Sequence, residues 1–116
     1  MRKLYVKRER ALACFGINYR CVIGENAQNH LEWAADQDRK ALMMTVDDKT
    51  LRNGSLVCLE IDEEKTTLFV IAYREHSELI SNTVKIPAGK MDLSYIVQTV
   101  YDGDKRLALN LSEDLE

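Results

Sequence analysis

Segments with the character of β-strands, separated by short turn signals, extend over almost the whole chain. Residues 2–7 alternate apolar and charged side chains, and the pair Asp102-Gly103 favours a tight hairpin turn because both of its central positions need positive φ. Gly, Pro, Asn and Asp bound the other segments, in which Val, Ile, Leu and aromatic residues predominate. The pattern predicts strands at 2–7, 10–15, 19–23, 55–61, 66–73, 82–86, 93–101 and 106–111.

This succession of short strands predicts an all-β fold. No long helical period lies between the clear strands, so a parallel βαβ arrangement is disfavoured. We expect about eight to ten short strands in an antiparallel β-sandwich, with a partly open β-barrel as the alternative. A chain of 116 residues fits a single domain, at 1–116, with a short acidic C-terminal tail at 112–116.

Residues 28–40 fit two local structures. Asn29 followed by Glu32 resembles a helix cap with its partner three residues further on. Alternatively, strands at 29–34 and 40–46 form a hairpin. We expect the hairpin because the neighbouring segments are strands, and the helix stays open as the alternative.

Three segments are apolar on both faces, whereas a half-solvated strand alternates apolar and polar residues. These segments are 41–44, 56–59 and 68–73. One face of each enters the sandwich core, and the other face has to leave water as well, since burying one Phe or Ile contributes roughly 1.5–3 kcal/mol. Either the segment 24–40 folds over this outer face, or a second copy of the chain packs there. We expect self-association, with Phe69, Ile71 and Tyr73 on the interaction surface.

Charge is distributed unevenly along the chain. The net charge is −3, which argues against nucleic-acid binding, yet residues 1–24 carry six basic side chains and one acidic side chain. Charges on an edge strand prevent edge-to-edge aggregation, which is one explanation. The other is an interaction surface for an acidic protein partner or for the acidic tail of a second copy. The basic residues that we expect on this surface are Lys3, Lys7, Arg8 and Arg10.

The residue types that carry metal or nucleophilic chemistry are scattered. The candidates are Cys14, Cys21, Cys58, His30 and His76. They lack the spacing of about two to four residues that is typical of zinc ligands, so we expect no metal and no other cofactor. The run 75–78 places Glu, His and Ser together, but neighbours in an extended chain point to opposite faces. We therefore expect a solvated loop at 75–78 and no catalytic residues.

The expected function follows from the fold class. We expect a non-catalytic interaction module, a homo-oligomer that uses an apolar sheet face as its contact surface. The alternative is a binding module for a small ligand or carbohydrate, contacted by Trp33 and neighbouring tyrosines, because flat aromatic rings stack on sugars. The chain contains neither the apolar region of a signal peptide nor a run of ~18 apolar residues, so we expect a cytoplasmic protein without a membrane partner.

Overall fold

The computed structural model describes residues 1–115. Within them, nine β-strands and two α-helices follow one another along the chain. The elements are β1 (Arg2–Arg8), β2 (Tyr19–Ile23), α1 (Ala27–Ala35), α2 (Arg39–Met44), β3 (Thr50–Leu51), β4 (Leu56–Ile61), β5 (Thr66–Tyr73), β6 (Glu78–Ile80), β7 (Val84–Ile86), β8 (Leu93–Tyr101) and β9 (Leu107–Glu113).

The strands form two sheets. Sheet A has the order β4-β1-β8-β9, and sheet B has the order β3-β2-β5, with β6 and β7 paired with the two ends of the other edge of β5. The sheets stay separate around a common apolar core, so the predicted β-sandwich is confirmed and the barrel alternative is wrong. One pair departs from the antiparallel expectation, because β1 and β8 run parallel. No hairpin links these two strands, so no turn fixes their relative direction.

The core between the sheets follows from the two-residue period of the strands. The inward residues of two central strands are Leu4 and Val6 in β1 and Leu68, Val70 and Ala72 in β5. The residues of β1 that alternate with them, Lys3 and Lys7, are exposed on the outer face of sheet A. Since β1 lies between β4 and β8, the explanation of these charges by an edge strand is wrong. Register therefore decides which side chains leave water, since a shift of one residue would exchange the two faces.

Residues 27–44 form two helices, and the expected hairpin at 29–34 and 40–46 is wrong. The stretch contains no Val, Ile or Thr, the β-branched residues that favour strands, and it is rich in Ala, Leu and Gln. The side chain of Asn26 accepts hydrogen bonds from the backbone N–H groups of Gln28 and Asn29, at 2.8 and 3.3 Å. The N-cap thus lies three residues before the cap that the sequence suggested.

The helices cover the outer face of sheet B. Ala34 of α1 is buried against the outward side chains of β5, and Leu31 and Leu42 pack at the edge of the same cluster. Of the two ways of covering β5, the chain uses its own segment after β2. The expected interaction surface is therefore wrong for three residues, which are buried beneath the helices: Phe69, Ile71 and Tyr73.

The connection between β1 and β2 is a series of turns, so the strand predicted at 10–15 is wrong. Arg8 accounts for this conformation. Its guanidinium donates hydrogen bonds to the carbonyl oxygens of Cys14, Ile17 and Leu51 at 2.6 to 3.0 Å and lies 3.4 Å over the ring of Tyr19. Because the carbonyls turn inward to this cation, they are not available to a strand ladder.

Arg8 is therefore not part of an exposed basic surface, since its side chain is 0% exposed. The strand alternation that exposes Lys7 places Arg8 on the inner face, at the end of the core. Lys3 and Arg10 are exposed as expected. The interaction surface predicted from the basic stretch is thus reduced to three cations.

The C-terminal part of the chain is more ordered than the sequence suggested. β9 extends to Glu113, so residues 112–113 of the expected tail belong to a strand. The side-chain amide of Asn82 exchanges two hydrogen bonds, each 2.9 Å long, with the backbone of Leu111 on the open edge of β9. The amide thus occupies groups that another strand would otherwise pair with.

Replacing Ala34 tests the helical cover. Ala34→Glu places a carboxylate against the buried face of β5, and we expect it to lower the free energy of unfolding by about 2–4 kcal/mol. Ala35→Glu introduces the same charge at the next, exposed position of α1 and should change stability by less than about 0.5 kcal/mol. Urea denaturation of both variants measures the difference. Equal losses would contradict the docking of α1.

Candidate ligand-binding cavity

The helical cover does not close completely over sheet B. A cavity of about 390 Å³ lies between the outer face of the sheet and the two helices, and we call it the helix–sheet cavity. Arg20 and Val22 of β2 and Tyr73 of β5 line it from the sheet. His30 and Trp33 of α1 line it from the cover. Its size is at the lower end of the range of about 300–1,000 Å³ found for small-molecule sites.

The register of β2 against β5 places the sheet residues of the cavity. Arg20 pairs with Ile71 and Val22 pairs with Phe69, so these four side chains project from the same face. Gly24 ends β2 with a φ of +73°, a backbone conformation that glycine adopts without strain. The chain then turns back over the sheet and starts α1.

A chain of hydrogen bonds connects the helical cover to the sheet. Glu25 Oε1 lies 3.2 Å from His30 Nδ1, and His30 Nε2 is hydrogen-bonded to the hydroxyl of Tyr73. An ionised carboxylate only accepts, so the tautomer that fits both contacts carries its proton on Nδ1, which donates to Glu25, and its Nε2 accepts the proton of the Tyr73 hydroxyl. His30 is 5% exposed, so this network holds the ring at a fixed position in the wall of the cavity.

Aromatic rings surround His30 on several sides. The centroid of its ring lies 5.3 Å from that of Trp33 and 5.7 Å from that of Phe69. Phe69 is fully buried, whereas Trp33 is 49% exposed and lies at the border between the cavity and solvent. Trp33 thus offers a partly exposed flat surface to a bound molecule.

Two cations line the cavity. Arg20 Nη2 lies 2.7 Å from a carboxylate oxygen of Asp47, while Arg20 Nη1 is shielded from solvent and has no hydrogen-bond partner among residues 1–115. Lys49 lines the cavity as well, and its ammonium group takes part in no ion pair within the described part of the chain. Burial alone would raise the pKa of Asp47. Hydrogen bonds from Arg20 and from the backbone N–H of Lys49 outweigh burial, so the pKa of Asp47 is lowered.

Two side chains that could become nucleophiles are held protonated: the Tyr73 phenol in the cavity wall and the Cys21 thiol, which points from β2 into the core between the sheets. Burial raises the pKa of the Cys21 thiol to about 12. Burial likewise raises the pKa of the Tyr73 phenol to about 12. Thiolate and phenolate are the reactive forms of these side chains, so at neutral pH neither group supplies one.

The structure brings only part of the predicted ligand site together. Trp33 and Tyr73 meet at the cavity. Tyr19 is buried between the sheets with its hydroxyl 2.7 Å from Thr99 Oγ1, Tyr95 is buried, and Tyr101 is exposed at the end of β8. The other tyrosines are therefore not neighbours of Trp33 in the cavity.

Sequence reasoning assigned no ligand-binding role to five polar residues of the cavity: Arg20, Glu25, His30, Thr45 and Lys49. One signal was present, because Ala27, His30, Leu31 and Ala34 share a helical spacing that places them on one face. The same spacing would have identified His30 as part of a buried helix face.

The remaining chemical candidates stay apart. Among residues 1–115, no three His, Cys, Asp or Glu side chains converge on a point where they could hold a metal ion. The turn at 75–77 between β5 and β6 leaves His76 90% exposed, and the Ser77 hydroxyl accepts a hydrogen bond from Arg74 at 2.8 Å. The expected solvated loop is confirmed for these residues. Neither helix of the described chain is long and apolar enough to cross a membrane.

Comparison of the chain with protein-family models, curated proteins and solved structures found no match.

The raised pKa of the Cys21 thiol predicts that the stability of the folded protein depends on pH. Its pKa is about 12 in the folded protein and near 9.0 when unperturbed. Between these values the folded state keeps the proton that the unfolded chain has released, so stability falls as the pH rises, by about 1.4 kcal/mol per pH unit. Denaturation at pH 9 and above should show a smaller fall for Cys21→Ala than for the wild type.

Cys58→Ala is the control for this measurement, because the Cys58 thiol is exposed. It should follow the wild-type pH dependence. The buried tyrosines contribute to the fall in all three proteins and cancel in the comparison. A Cys21→Ala curve parallel to that of the wild type would contradict the assignment.

Proposed function

We propose that this protein is a non-catalytic binding module that takes a small molecule into the helix–sheet cavity. One observation carries the proposal: the only tryptophan of the chain and the buried His30–Tyr73 pair line the same cavity. An apolar wall with a few fixed polar groups is the usual composition of a ligand site. The protonated state of Tyr73 favours binding over nucleophilic catalysis in the cavity.

Trp33 provides the test. A thermal-shift panel of sugars, nucleotides, aromatic acids and aromatic amines at millimolar concentration should contain a class that raises the melting temperature, because a ligand of the folded state stabilises it by mass action. Trp33→Ala should reduce that shift at least several-fold, since it removes the aromatic wall. The half-exposed position of Trp33 makes a folded variant the expected product.

Glu32→Ala is the matched control, because Glu32 is the exposed neighbour of Trp33 on α1 and does not line the cavity. It should leave the shift unchanged. Absence of stabilisation by every class would contradict the proposal, and so would a shift that Trp33→Ala leaves intact.

A second candidate function is self-association through the outer face of sheet A. With β5 covered, this is the sheet face that stays open. Leu56 is 60% exposed there, next to the half-buried Tyr5, in a shallow groove of about 340 Å³. The same face carries Lys3, Lys7 and Glu60, so a second copy related by a two-fold axis would meet both signs of charge.

Light scattering over a concentration series tests this second candidate. The wild type should form a dimer at high micromolar concentration, and Leu56→Asp should shift it to the monomer. Leu12→Asp adds the same charge in the loop after β1, where Leu12 is 94% exposed, and should leave the dimer intact. A wild-type monomer throughout the series would exclude self-association.

The cytoplasm is our proposed location, because reducing conditions keep thiols such as Cys14, Cys21 and Cys58 free.

A further inference from the structure

We infer that the helix–sheet cavity selects a small organic anion with a flat apolar body, of which an aromatic carboxylate is the simplest example. This inference rests on the proposed binding function and adds the class of ligand. It follows from which polar groups of the cavity still need a partner.

The unpaired groups of the cavity are donors. Arg20 uses Nη2 for Asp47 and has no acceptor at Nη1 within residues 1–115. Lys49 brings an ammonium group without a carboxylate partner in the described chain, and the indole N–H of Trp33 makes no hydrogen bond there. A ligand that supplies negatively charged oxygens would pair with the exposed Lys49 ammonium and the indole N–H, while Arg20, whose Nη1 is shielded from solvent, adds positive charge to the wall. Hydrogen bonds between two charged groups are the stronger ones.

The carboxylate of the cavity already has a partner. Glu25 is the one carboxylate among the described lining residues, and it accepts from His30 at 3.2 Å. The hydroxyl of Tyr73 is bound to the other nitrogen of the same ring. A cationic ligand would therefore compete with His30 for Glu25 and would lie close to Arg20 and Lys49, whose charges repel it.

The apolar part of the wall sets the shape of the ligand. Trp33 lies at the opening, and Val22 and Leu42 complete an apolar surface between the sheet and α2. A planar body gains most from such a site, since it stacks on the indole while its charged end turns to the cations. Sugars lack this charge. They are the alternative class of ligand, and the thermal-shift panel includes them.

Three probes of nearly equal shape test the charge preference: benzoate, benzamide and benzylamine. Calorimetric titration, supported by the fluorescence of the single Trp33, should show benzoate binding at least about tenfold more tightly than benzamide, and benzylamine more weakly than both. Equal affinities for benzoate and benzamide would overturn the anion inference while leaving binding in the cavity standing.

Variants that each remove one cation show which positive charges contribute to the binding of benzoate. Lys49→Gln removes an exposed cation of the lining and should weaken benzoate about tenfold without changing benzamide. Lys40→Gln removes an exposed cation of α2 that does not line the cavity, and it should change neither. Arg20→Gln should also weaken benzoate, and its melting temperature shows whether loss of the Asp47 pair unfolds it.

Two further outcomes would overturn the inference. One is benzoate affinity that is unchanged in both Lys49→Gln and Arg20→Gln. The other is absence of binding by all three probes. If the thermal-shift panel nevertheless finds a ligand whose effect depends on Trp33, the cavity binds a different class of molecule. If no compound of that panel stabilises the protein either, the proposed binding function itself is wrong.

Discussion

The outer face of β5 is the constraint on which the rest of the structure depends. β5 is buried on both sides over most of its length, so the fold needs a third layer on sheet B in addition to sheet A. The two helices supply that layer, and their mainly apolar contact with the sheet also includes one polar side chain, that of His30. His30 is buried in this contact, and its hydrogen bonds to Glu25 and Tyr73 compensate its loss of water.

Most of the strands could be predicted because the alternation of apolar and polar residues and the turn residues are local signals. β5 and β8 have the predicted bounds, and β1 and β4 differ from prediction by one residue. The helices were misread because strand neighbours were given more weight than the absence of β-branched residues over 27–44. Arg8 was misplaced although the alternation of β1 assigns it the same face as Leu4 and Val6, because a cation was assumed to need solvent.

The cavity itself could not be derived from the sequence, for a geometric reason. Its lining comes from β2, α1, α2, β5 and the segments that flank the two helices, which only the docking of the helices brings together. Trp33 could be named from its chemistry alone. Arg20 and Lys49 could not, because nothing in the local sequence distinguishes them from the other cations of the chain. Their significance depends on which carboxylates lie nearby, and that is a property of the tertiary structure.

The parallel pairing of β1 with β8 has a consequence for the order of assembly. β1 leaves the ribosome before the other described elements, yet its pairing with β8, in which Leu4 lies opposite Leu93, forms only after β8 has been synthesised. β2 and β5 are closer in sequence, so sheet B and its helices can assemble around a shorter loop. β1 is therefore among the last of the described strands to become central in its sheet, and until then one of its edges remains an unprotected template for other chains.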